Sequence, residues 1–144
     1  MLKYSSLLLM LVLGFTLRAA ESPTTYQVNK ASLKDVAKIY LAYEARHTRE
    51  PGMEADLKLP DGKQFVSMRQ ANHSEEQACW VYPVSLGLEI KIGTPQKRVI
   101  VIAPEPQFGR YLLATEDLKI HSYYRKDIQR ILDAIQARKL NDGN

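Results

Sequence analysis

The spacing of apolar residues changes twice along this chain, and those changes restrict the fold more than any single residue does. Leu33, Val36, Ala37, Tyr40, Leu41 and Tyr43 recur at helical spacing, with Lys34, Lys38, Glu44 and Arg46 largely on the other side. From Leu57 to Ala103 the apolar residues alternate or run together, as strands require. From Tyr124 the helical spacing returns, with Tyr124, Ile128, Ile131, Leu132 and Ile135 at i, i+4, i+7, i+8 and i+11. Short turns between successive strands favour neighbours that pair in order. The expected fold class is therefore α+β: an antiparallel meander of four to five strands, flanked by an N-terminal and a C-terminal amphipathic helix. One apolar sheet face needs cover, and the two helices supply it.

Local signals place the boundaries. Ser32-Leu33-Lys34-Asp35 has the spacing of a capping box and sets the expected helix start. Pro51-Gly52 stops that helix beyond His47. Leu57 and Leu59, the turn Pro60-Asp61-Gly62, and Gln64 to Arg69 read as a hairpin. Ala71 to Gln77 is a polar loop. Cys79 to Val84 is apolar on both faces and is expected to be buried, with Pro83 marking an edge or a bulge. Leu86, Leu88, Ile90 and Ile92 alternate with polar residues and Gly87 and predict a half-buried strand. Gly93-Thr94-Pro95 turns the chain. Val99 to Ala103 is the most hydrophobic strand and belongs at the centre of the sheet. Tyr111 to Ala114 adds a short strand, and the last helix is expected from about Ser122.

The first twenty residues carry an address. Lys3 precedes an apolar run, Leu7 to Leu17, and Ala19-Ala20 follows as a cleavage site, which is the pattern of a secretory signal peptide. The run is about half the length that a permanent membrane span needs. The expected organisation is a signal peptide at 1–20, a flexible lead-in at 21–30, a single domain at 31–140 and a disordered tail at 141–144. The expected location is periplasmic or secreted. Of the 144 residues, cleavage after Ala20 leaves 124, enough for one core without metal or disulfide staples. Cys79 is the one cysteine, so no intramolecular disulfide forms, which fits a bacterial envelope compartment. Asn72-His73-Ser74 matches a glycosylation pattern too short to weigh against that.

Charge and motifs exclude several functions. Without Lys3 and Arg18 the chain carries 18 Lys+Arg against 16 Asp+Glu, too even for nucleic acid as the main partner. It contains no GxSxG, GxxxxGK[ST] or HExxH motif. Cys79 with His47, His73 or His121 is the conceivable nucleophilic arrangement; against it, the cysteine sits in a strand pattern where a buried, inert thiol is the ordinary outcome. His73 with Glu75 and Glu76, and His47 with Glu50, lack the paired spacing that fixes zinc. Glu54, Asp56 and Asp61 flank a hairpin, where acids face water rather than a cleft. No catalytic residue, cofactor or metal is assigned. The final helix is mildly basic, but its apolar stripe is needed by the sheet and not by a membrane.

Pro104 to Tyr111 (PEPQFGRY) is the strongest candidate. Two prolines stiffen it, and Phe108, Arg110 and Tyr111 are residue types that dominate protein interfaces. The alternative is a crossover whose Phe108 and Tyr111 plug the core edge. The expected function is an exported binding protein of inhibitor or immunity type, not an enzyme, that occludes an exported enzyme or toxin. The alternatives are an accessory subunit of an envelope complex, or a small hydrolase using Cys79 or a carboxylate pair.

Overall fold

The computed structural model describes residues 24–47, 57–67 and 79–143. The apolar run, the Ala19-Ala20 site, Glu54, Asp56, the polar loop at 71–77 and His73 lie outside the described residues. Helix α1 spans Thr25–Arg46. Strands β1 (Lys91–Ile92), β2 (Lys97–Ile102), β3 (Arg110–Thr115) and β4 (Ile120–Tyr124) form an antiparallel meander in chain order. Helix α2 spans Gln129–Asp142. The fold is α+β, with the two helices flanking a four-stranded sheet in sequence. Among the described residues no helix is long and apolar enough to cross a membrane.

Both faces of the sheet are covered, where one was expected. Successive side chains of a strand point to opposite faces. Leu112 and Ala114 pack with Leu33, Val36, Ala37 and Tyr40 of α1, whereas Leu113 packs with Val81, Val99 and Ile135 of α2. This explains the unbroken apolar run at 99–103: a strand covered on both sides has no polar face. A bulge between Val99 and Val101 adds one residue to β2. As a result Ile100 and Val101 both join the α1-side cluster, while Val99 and Ile102 join the other.

Several expected boundaries move, each for a physical reason. Helix α1 begins at Thr25 and not at Ser32, so most of the lead-in at 21–30 is helical. The capping box is Thr24 with Gln27: the Gln27 N–H donates to the Thr24 hydroxyl oxygen (3.3 Å) and the Thr24 N–H donates to Gln27 Oε1 (3.1 Å). Ser32 sits inside the helix, buried, and its hydroxyl donates to the Gly62 carbonyl (3.3 Å). Asn29 extends the buried stripe one turn toward the N-terminus, and as a polar residue on the buried face it hid that turn from the periodicity.

The hairpin expected at 57–69 has its turn but no ladder among residues 57–67. Gly62 takes φ +82° and the Lys63 N–H donates to the Pro60 carbonyl (3.2 Å). The segment is tied to α1 instead of to a sister strand. Asn29 holds both backbone groups of Val66, accepting from its N–H (2.9 Å) and donating to its carbonyl (2.8 Å). The buried Trp80 indole donates to the Lys63 carbonyl (2.9 Å).

The strand expected at 86–92 shrinks to Lys91–Ile92. Pro83, lacking an N–H, starts a 3₁₀ turn over Pro83–Leu86, which Gly87 closes at φ +70°. At the C-terminus the helical spacing that began at Tyr124 was coincidental for its first member. Residues 120–124 pair with β3 from Ala114↔Ile120 to Arg110↔Tyr124, and α2 starts at Gln129. Asn141 and Asp142, assigned to a disordered tail, end that helix.

Candidate interaction surface

The PEPQFGRY segment is the connection between β2 and β3, and it ends in a two-residue hairpin turn. The Gln107 N–H donates to the Arg110 carbonyl (2.8 Å) and the Arg110 N–H donates to the Gln107 carbonyl (3.0 Å). The two residues between them are Phe108 at φ +50° and Gly109 at φ +72°. Positive φ at both central positions matches the right-handed twist of the flanking strands, and asparagine with glycine is the usual pair there. Glycine supplies this at no steric cost; a phenylalanine in the left-handed region costs about 1 kcal/mol or more. Phe108 is 70 % exposed, so little burial offsets that cost.

The turn is held from beneath. Gln107 is 2 % exposed, and its Nε2 donates to the Val66 carbonyl at 3.4 Å. The Ser67 hydroxyl donates to Glu105 (2.7 Å), fixing the segment between the two prolines. Phe108 meets Tyr26 of the first turn of α1 edge-on, with ring centroids 6.3 Å apart. Arg110 lies across the ring of Tyr124, its cross-strand neighbour, at 4.2 Å from the centroid, and donates to the Tyr124 hydroxyl (2.9 Å). Tyr124 is itself 45 % exposed. Phe108, Tyr26, Arg110 and Tyr124 thus form one aromatic and cationic group on the α1 side of the sheet.

Tyr111 does not belong to this group. It is 8 % exposed and faces the other side of the sheet, where it lines a cavity of about 230 Å³ with Pro104, Arg125 and Leu132. Adjacent strand residues point to opposite faces, so Arg110 and Tyr111 cannot serve one surface. That alternation was available in the sequence, but it becomes usable only once residue 110 is known to lie in a strand. The sequence reading missed Tyr26 and Tyr124, which reach the site through α1's early start and through β4.

The catalytic and metal candidates among the described residues are Cys79, His47, His121 and Asp61. Cys79 is exposed, which corrects the expectation of a buried thiol in a strand; the burial begins one residue later, at Trp80. His47 stacks on Tyr43 at the end of α1. His121 Nε2 lies 3.1 Å from the Thr115 hydroxyl, which also bonds Asp117 (2.5 Å) and closes the turn between β3 and β4. The Thr115 hydroxyl bond holds the Asp117 carboxyl below its ordinary pKa. Thr115 is wholly buried, so this Thr, His and Asp arrangement closes a turn and offers no reachable nucleophile. Among the described residues, no three His, Cys, Asp or Glu side chains are grouped to hold a metal. Comparisons with protein-family models, with curated proteins and with solved structures find no match to this chain.

Proposed function

We propose that this chain is a small exported binding protein of inhibitor or immunity type. It occludes a secreted enzyme or toxin with the Phe108 turn and the side chains that brace it. Phe108 carries the reading: a large apolar side chain set in a costly backbone conformation, left in water, and supported by a buried glutamine. Folding gains little from that arrangement, whereas a partner pocket gains a pre-formed aromatic anchor whose ordering cost is already met. Export rests on the leader pattern of the first twenty residues.

Phe108→Gly separates an anchor from a core plug. For an anchor, the variant keeps its stability to within about 1 kcal/mol, because relief of the strained backbone offsets the greater unfolded-state entropy of glycine. It also loses affinity for the partner captured from the native envelope by about 2 kcal/mol or more. A lowered melting temperature would identify Phe108 as a plug, and unchanged affinity would remove the turn from the interface. Arg110→Ala should weaken the same complex less, since the guanidinium is already engaged by Tyr124.

One observation favours a second reading, an accessory subunit of an envelope complex. β4 ends the sheet, and its outer side pairs with no strand among the described residues. An edge of five residues suits strand addition by a neighbouring subunit. Co-purification with a large assembly, lost on replacing Ser122 by proline with the fold retained, would favour it over the inhibitor reading.

A further inference from the structure

The aromatic group around Phe108 continues into a groove along α1. Lys30 and Lys34 stand one turn apart on the exposed side of the helix, beginning next to Gln27, the sequence neighbour of Tyr26. Opposite them lie Leu118 and Ile120 from the start of β4 and the turn before it, with Ala31 forming the helix side of the floor. The space between is about 430 Å³ and opens widely to solvent. Ile120 and Tyr124 lie on the same face of β4, by alternation, as does Ser122 between them. The Ser122 hydroxyl is buried and has no hydrogen-bond partner. Among the described residues, neither lysine ammonium lies within ion-pair distance of a carboxylate, although Asp35, Glu44 and Glu116 on the same side are paired to Lys63 and Arg98.

We infer that the groove between α1 and β4 receives an acidic, apolar-flanked peptide segment of the partner. This rests on the reading of Phe108 as a partner anchor and extends it along the same side of the sheet. The floor is apolar, so it takes aliphatic or aromatic side chains. The rim carries two ammonium groups that make no ion pair among the described residues, and Arg110 on the same side of the sheet adds a third positive charge. Carboxylates on the partner are complementary to that row, and basic partners are repelled by it. So open a space suits a segment lying across it better than a small molecule, which an enclosed pocket would bury.

The test selects random dodecapeptides displayed on phage against the immobilised protein, then measures the winning peptides by fluorescence anisotropy. The inference expects enriched sequences with two or more Asp or Glu beside an apolar residue. Their affinity should fall roughly tenfold or more in Lys30→Glu/Lys34→Glu and less in Lys30→Gln/Lys34→Gln, and should weaken with salt. Both lysines are exposed, so circular dichroism should be unchanged and the melting temperature nearly so, Lys34 adding only weakly to the field at Asp35. Absence of enrichment, a consensus without acids, or affinity indifferent to both double variants overturns the groove. Phe108→Ala, measured in parallel, keeps the two readings apart. Peptides lost to the lysine variants but not to Phe108→Ala support the groove without the anchor. Peptides lost to Phe108→Ala alone support the anchor and overturn the groove.

Discussion

The two helices cover opposite faces of one sheet, yet they do so by different means. α1 buries six of its 22 residues, among them Leu33, Val36 and Tyr40 at 0 % exposure, and α2 buries only Ile135 of its 14. The α1 face adds directional polar ties to its packing. Asn29 grips the backbone of Val66, and Lys63 donates to Asp35 (2.7 Å). At the far end Arg98 clamps Glu44 with two hydrogen bonds (2.6 and 3.0 Å). On the α2 side the partners are partly buried aliphatics such as Leu86, Leu88, Ile90 and Ile131. Packing alone is adaptable, whereas buried hydrogen bonds fix one arrangement. The α1 face is therefore the frame on which the Phe108 turn is mounted, and the α2 face is the more tolerant cover.

The strongest test of that contrast removes equivalent aliphatic groups from the two faces. Leu33→Ala should cost about 3–4 kcal/mol, since the site is fully enclosed by α1, Phe65 and β3 neighbours and cannot collapse easily. Ile135→Ala should cost about 2 kcal/mol, and the partly buried Ile131→Ala about 1 kcal/mol. Urea unfolding measures all three; equal costs at Leu33 and Ile135 would erase the distinction. Asn29→Leu probes the polar tie itself. It strands the Val66 N–H and leaves the carbonyl only the longer bond from Gln107, a loss of about 2 kcal/mol. Its effect on hydrogen exchange should centre on residues 57–67 and leave α2 at its original rate. A uniform loss of protection would instead make the two faces one cooperative unit.

The same contrast explains what could be read from the residues beforehand. The meander, its order and the flanking helices follow from apolar spacing, and those were legible. Asn29 and Ser32 were not, because they occupy buried helical positions that a hydrophobic pattern scores as surface. The segment at 57–67 alternates like a strand, yet it sends Leu57 and Phe65 into the α1-side core and ties its backbone to Asn29, and periodicity cannot say which partner a segment chooses. β4 was hidden because Tyr124 and Ile128 happen to sit four apart. Of the three interface candidates, Phe108 and Arg110 are placed together with Tyr26 and Tyr124, and Tyr111 is assigned to the opposite face. Residue type marked the candidates; only the register of β3 sorts them.

The smallest effect, and the one most specific to the α1 face, is electrostatic. The hydrogen bond from Lys63 is the main reason the Asp35 carboxyl is held below its ordinary pKa, with the nearby Lys38 and Lys34 charges adding to it. The folded state thus binds this proton more weakly than the unfolded chain does. The contribution is fully present above the ordinary carboxylate range, near pH 4, and is lost as pH falls through the lower value of the folded protein. Both partners are more than one-third exposed, so the bridge is worth well under 1 kcal/mol. Asp35→Asn should leave a protein only slightly less stable at pH 7, with a shallower fall in stability below pH 4 than the parent. The difference should shrink in high salt. The α2 face has no such bridge among the described residues, so exchange rates measured at pH 7 and at pH 3 should diverge first around residues 57–67. If the parent and Asp35→Asn lose stability in parallel through acid, the Lys63 bridge does not help to hold that segment. The α1 face would then differ from its counterpart by packing, the Asn29 seam and the Arg98–Glu44 clamp.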